Sequence, residues 1–199
     1  MNDFCKWISP GIPDRLFHRG TTPMTKEEVR VITLSKARLG PDMVLWDVGS
    51  GTGSIAVEAA RLIPGGKVLA VERTHEGCCL IRENCALFGT HHVQVVEGEA
   101  PGALKALPRP HRVIIGGSGG NLESILTVIE GELLPGGRVI INAVTLETLT
   151  SALYFLGSRW QTEVVQIIVN KSVKAGSSHL MKAANPVYII SAWKRGEDF

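Results

Sequence analysis

The stretch Leu45-Trp46-Asp47-Val48-Gly49-Ser50-Gly51-Thr52-Gly53 decides the fold: an apolar run breaks into three alternating glycines and then into a helical pattern. A short apolar run bounded by glycine reads as a buried strand, and the residues from Ser54 onward as the helix that follows it. A glycine turn at the carboxyl end of a strand lets backbone approach a ligand closely, and the next helix presents unpaired N–H groups there. In an open α/β sheet this is where ligands bind. Nineteen residues beyond Gly53, Glu72 closes the next apolar run, placed to accept hydrogen bonds from two ribose hydroxyls. A glycine turn followed by an acid at about 20 residues marks a nucleoside-containing cofactor. The dinucleotide fingerprint G-x-G-x-x-G needs glycine at position 54, where Ser54 stands, and no Gly-Lys-Ser/Thr follows to make a phosphate loop. A turn without a ligand would gain little from three glycines, each of which costs conformational entropy.

Outward from this loop the pattern alternates. Apolar strand-like runs occupy 43–48, 67–72, 93–97, 112–115 and 138–142, with helical patterns at 54–62, 75–88, 122–133 and 146–156. Strands alternating with helices imply βαβ units and a parallel sheet covered on both faces. Upstream, Thr25-Lys26-Glu27-Glu28 has the form of a capping box opening a helix that runs to Gly40-Pro41. Residues 1–24 read as an irregular N-terminal arm and 25–199 as a single domain. The tail carries two strand-like runs, 161–169 and 186–193, with a polar, basic stretch between them. Two such strands would pair antiparallel at the sheet edge.

Composition excludes several classes. The 199 residues carry a formal charge of +2, too mild to announce nucleic acid as a partner. The first residues lack the apolar core of a signal peptide, and no apolar run nears the roughly 20 residues that span a bilayer. Cys5, Cys78, Cys79 and Cys85 have no C-x-x-C spacing and read as small packing thiols in a reducing, cytoplasmic compartment. No metal-ligand spacing links His91, His92 and His111, which read as surface histidines, so no metal is expected. Trp46, Trp160 and Trp193 read as packing residues rather than a stacking platform for bases.

Asp47-Val48-Gly49-Ser50-Gly51-Thr52-Gly53 resembles motif I of the class I methyltransferases that use S-adenosylmethionine. Glu72 matches the ribose-binding acid of that superfamily, Gly98-Glu99-Ala100 its adenine-contacting segment, and Leu134-Pro135-Gly136-Gly137-Arg138 its turn before the fifth strand. Along nearly its whole length the chain is similar to the CbiT family, the decarboxylating C15-methyltransferases of cobalamin biosynthesis. The pieces that carry this are Gly11-Ile12-Pro13-Asp14, Met24-Thr25-Lys26-Glu27-Glu28-Val29-Arg30, Gly116-Gly117-Ser118-Gly119-Gly120 and Asn185-Pro186-Val187. Glu72 departs from the more common aspartate, although both accept from a ribose diol. The resemblance implies a Rossmann-like, seven-stranded, mostly parallel sheet with helices on both faces and an antiparallel C-terminal edge pair. It also implies S-adenosylmethionine as cofactor, held by Thr25, Gly49, Ser50, Gly51, Thr52, Gly53, Glu72, Glu99 and Ala100. The implied reaction is methylation at C15 of cobalt-precorrin-6B (or its metal-free counterpart) with loss of the C12 acetate carboxyl as carbon dioxide. A homotetramer, and a CbiE-type methyltransferase as partner, belong to the same implication.

The loop 116–120 has no proline, aromatic or acid, unlike the Asn/Asp-Pro-Pro-aromatic segment with which related enzymes hold a flipped base. It suits a broad ligand pressed against backbone, with N–H groups free to meet carboxylates. Gly117 and Ser118 are therefore candidate substrate contacts. Basic residues cluster at Arg15, His18 and Arg19 and at Lys171, Lys174, His179 and Lys182. Arg15 and Lys174 are the candidates for a cationic rim facing a polycarboxylate macrocycle. No residue stands out as a general acid or base. Two rival functions are a tRNA base methyltransferase and a non-catalytic cofactor-binding subunit.

Overall fold

The computed structural model describes residues 8–194; Cys5 lies outside them. One seven-stranded sheet organises the chain, built from β1 (Val44–Val48), β2 (Lys67–Glu72), β3 (Val93–Glu97), β4 (Arg112–Ile115), β5 (Arg138–Ala143), β6 (Trp160–Ile167) and β9 (Val187–Lys194). Their spatial order is β3-β2-β1-β4-β5-β9-β6, with the first five parallel and β9 antiparallel to both its neighbours. The expected antiparallel pair is therefore present, but in a particular order: the later strand inserts next to β5 and leaves β6 at the edge. A separate hairpin, β7 (Asn170–Ala175) and β8 (Ser178–Ala183), occupies the polar stretch where no element was expected.

Alternate side chains of each strand leave for opposite faces of a sheet, and both faces here are covered. Leu45, Val68, Ala70, Ile114 and Ile140 join one core with α1 (Glu27–Ala37), α2 (Ser54–Leu62) and α3 (His75–Phe88). Trp46, Val48, Leu69, Val71, Val113 and Ile141 join the other with α4 (Leu122–Glu132) and α5 (Leu146–Leu156). Double coverage is why the parallel strands read as unbroken apolar runs. No helix among the described residues is long and apolar enough to cross a membrane.

The segment before α1 packs into the first core, where Ile12 and Phe17 are buried. What pins it is a buried ionic cluster. Arg30 Nε donates to Glu58 Oε1 at 2.5 Å, both side chains being almost wholly buried. Glu58 accepts from the backbone N–H groups of Gly11 (2.7 Å) and Ile12 (3.0 Å), and Arg30 donates to the Ile12 and Thr25 carbonyls and to Asp14. This corrects the expected capping box. Thr25 stands outside α1, whose N-cap is Lys26 with no side-chain hydrogen bond, because the Thr25 carbonyl is spoken for by Arg30. At the other end α1 stops at Ala37, where Arg38 turns left-handed, before reaching Gly40.

Candidate functional site

The carboxyl ends of β1, β2, β3 and β4, closed on the fourth side by residues 21–25, enclose a cleft of about 610 Å³, within the range of small-molecule sites. The glycine loop is its floor. Gly49 and Ser50 both donate backbone N–H to the Val71 carbonyl, at 3.0 and 3.1 Å, which ties the loop to β2. Gly49, in a left-handed conformation with φ +69°, lies against the β4 loop: a Cβ on it would fall 2.3 Å from the Gly117 carbonyl oxygen. Two backbones meet here with no room for a side chain.

Glu72 is held in the cleft wall by three hydrogen bonds. Its Oε2 accepts from the Gly51 N–H at 3.0 Å, and its Oε1 from the Thr74 N–H at 2.9 Å and hydroxyl at 2.8 Å. A carboxylate offers about four lone-pair positions, so these three hydrogen bonds leave about one for a ribose hydroxyl. Gly77 makes this pose possible, since a Cβ there would sit 2.6 Å from the Glu72 Cγ. Behind the loop, Asp47 is fully buried and accepts from Ser50 Oγ at 2.6 Å. Burial pushes its carboxyl up to about 6, against the pull of Ser50 and of backbone at Ala56, with the Glu72 charge adding to the rise.

Of the residues expected to hold the cofactor, Thr25, Gly49, Ser50, Gly51, Glu72, Glu99 and Ala100 line the cleft, and Thr52 and Gly53 do not. Thr52 is buried beneath the loop and Gly53 caps α2; they shape the loop from behind. Gly117 and Ser118 line the opposite lip, and Glu99 is tied to that side by Asn121 Nδ2 at 3.2 Å. Arg15 and Lys174 are exposed and lie outside the lining; Lys174 stands on the outlying hairpin opposite His179. His111 is half-buried, its Nδ1 accepting from the Val44 N–H at 3.0 Å, rather than a plain surface histidine.

Asn84 and Arg73 also build the site, unmarked by any motif. Asn84 of α3, fully buried, donates to the carbonyls of His18 (2.8 Å) and Thr52 (2.9 Å) and accepts from the His18 N–H (2.8 Å), so one side chain fixes the N-terminal segment to the glycine loop. Arg73 lines the cleft directly after Glu72. A mid-helix asparagine and an arginine after a strand carry no pattern that would single them out.

A glycine loop, a strand-end acid and this sheet order define a class I methyltransferase. The fold is shared with a SAM-dependent O-methyltransferase from Thermotoga maritima (16% identity, TM-score 0.74, 89% of this chain and 69% of that one). The match to the precorrin methyltransferase domain family spans residues 15–194, and the chain belongs to that family. It is similar to the cobalt-precorrin-6B C(15)-methyltransferase (decarboxylating) of Salmonella typhimurium, 38% identical over 91% of this chain and 95% of the relative. Among solved structures it is similar to a precorrin-6y C5,15-methyltransferase from Geobacter metallireducens (43% identity, TM-score 0.89, 92% and 98% coverage). A precorrin 8W decarboxylase from Methanobacterium thermoautotrophicum also superposes (32% identity, TM-score 0.87, 92% and 99% coverage).

Proposed function

We propose that this enzyme methylates C15 of cobalt-precorrin-6B or precorrin-6B, using S-adenosylmethionine, and releases carbon dioxide from the C12 acetate. The observation that carries this is likeness to a decarboxylating C15-methyltransferase across more than nine-tenths of both chains. The residues fit the cofactor: Glu72 lines the cleft with about one lone-pair position unused, and Gly49 lets the loop and the β4 backbone meet with no side chain between them.

Thr25, Gly49, Ser50, Gly51, Glu72, Glu99 and Ala100 would hold the cofactor, which supplies an already activated sulfonium methyl when bound. The chain's own work is then geometric. The fixed loop and the Gly117-Ser118 lip set the approach of the acceptor carbon, and the closed fourth wall limits water. Val144, well exposed, adds apolar surface to the lining, while Val48 and Ile125 along the same wall are almost wholly buried. The electron pair left when carbon dioxide departs passes into the conjugated macrocycle, made electron-poor by the methyl it has gained, and the freed side-chain carbon then takes up a proton to become a methyl group.

A homotetramer fits the hairpin that stands off the domain, with Leu180 and Met181 well exposed; sedimentation would check it, and pull-down with a CbiE-type enzyme would check that partnership. Free Cys78, Cys79 and Cys85 fit a reducing cytoplasm. A tRNA methyltransferase from Aquifex aeolicus has the same fold at 17% identity (TM-score 0.74, covering 89% of this chain and 72% of that one). The β4 loop lacks the base-holding segment, which favours the corrinoid reading. Incubation with S-adenosylmethionine and precorrin-6B, followed by mass spectrometry, tests it. A methyl gain with carbon dioxide loss is expected; an unchanged precorrin would refute the assignment.

A further inference from the structure

The cleft is acidic where its proposed acceptor is also acidic. Glu72, Glu76 and Glu99 all line it, and Arg73 is the only lysine, arginine or histidine among its lining residues. Glu72, Glu76 and Glu99 are each engaged, by Gly51 and Thr74, by Thr21, and by Asn121 respectively. Arg73 is exposed, and no hydrogen bond or ion pair holds its guanidinium among the described residues. The side chain nonetheless has a defined place. It leaves the end of β2 and reaches the β4 loop, where its Nη1 would lie 3.1 Å from a Cβ on Gly119. Gly119, with φ +58°, has no Cβ, and added Cβ atoms at Gly117 and Gly120 would meet nothing within 4 Å. An uncommitted guanidinium thus lies beside bare backbone at the lip where Gly117 and Ser118 stand.

We propose that Arg73 binds a side-chain carboxylate of the macrocyclic acceptor at this lip, fixing which edge of the ring faces the methyl donor. This rests on the corrinoid reading above. A planar guanidinium takes a carboxylate through two parallel hydrogen bonds, so it orients as well as attracts. The same chemistry could be met by the carboxylate of the cofactor's amino-acid end, and the test separates the two sources.

Wild type, Arg73→Gln and Arg73→Lys are compared with cobalt-precorrin-6B as substrate, with S-adenosylmethionine affinity measured by calorimetry and folding by thermal melting. Loss of one charge-assisted pair predicts a KM for the precorrin raised about 10-fold or more in Arg73→Gln, with cofactor Kd changed less than about twofold and melting unchanged. Arg73→Lys, keeping the charge without the fork, should recover part of the loss. A KM unchanged in Arg73→Gln overturns the proposal. So does a cofactor Kd that rises by the same factor as KM, which would hand Arg73 to the cofactor. An inactive wild type would instead sink the corrinoid reading and this inference with it, so the two failures look different.

Discussion

Placing a methyl group on Gly49 should separate the two walls of the cleft while leaving the fold standing. In Gly49→Ala the new Cβ lies 2.3 Å from the Gly117 oxygen, 2.8 Å from its nitrogen and 2.9 Å from its carbonyl carbon, whereas ordinary contact begins at 3.4 Å. The backbones must part by about 1 Å. Gly49 and Ser50 are held to Val71 at 3.0 and 3.1 Å, while Gly116 and Gly117 donate to the Val48 carbonyl at 2.9 and 3.5 Å. The Gly117 contact is the longest and weakest of these, so it is the one that opens and the β4 loop is the side that gives. Alanine at φ +69° also costs about 1–2 kcal/mol, or a melting temperature lower by about 2–8 °C for a chain of this size. A 1 Å misplacement of a positioning element costs about 100-fold in turnover. Steady-state methyl transfer to precorrin-6B, with melting measured in parallel, should thus show kcat/KM down about 100-fold on a protein that still folds. Gly117→Ala, whose Cβ meets nothing, should melt like wild type. A Gly49→Ala enzyme within about threefold of wild-type kcat/KM, far short of that 100-fold loss, would refute the claim that this backbone contact sets the cleft.

Asp47 titrates about 6 in the fold against an ordinary 3.8, so the folded state holds its proton longer and stability falls as pH rises through that window. At about 1.4 kcal/mol per pH unit the loss is about 3 kcal/mol. Asp47→Asn should gain about that much on wild type between pH 4 and pH 7 in urea titrations; a difference flat with pH would contradict it. Glu58→Ala takes away the nearest counter-charge of buried Arg30, leaving it Asp14 at 3.2 Å, and strands two backbone donors, which should cost about 3 kcal/mol in chemical denaturation; a loss below 1 kcal/mol, the scale of an exposed pair, would deny the cluster its role. Gly131, exposed within α4 with free space at its Cβ, should accept alanine with a gain of about 0.5–1 kcal/mol, read as a raised melting temperature; a lowered one would contradict the open space.

What could be read from the sequence is what repeats with a period. Strands covered on both faces and glycines at a strand end declare themselves, so β1 to β5, their helices and the cleft floor were legible. The β7–β8 hairpin was not, because Asn170–Ala175 and Ser178–Ala183 are exposed along their whole length and so alternate no apolar face. Its one signal was the two-residue turn at Gly176-Ser177, Gly176 having φ +63°. Buried charge was equally silent. Nothing in the pattern marks Arg30 or Glu58 as buried, and only the fold brings them together across 28 positions. The basic clusters drew attention by count, yet Arg15 and Lys174 stand away from the cleft while the single Arg73 lines it. Proximity in space, not abundance in sequence, chooses the cation.

The insertion of β9 between β5 and β6 has a consequence for how this chain is made. β6 leaves the ribosome before β9, yet its sole sheet neighbour is β9. β6 therefore has no native place in the sheet until residues 187–194 exist, so strands cannot join in the order in which they are made. A chain cut short before residue 187 would keep two open edges, at β5 and β6, where the full sheet joins both to β9.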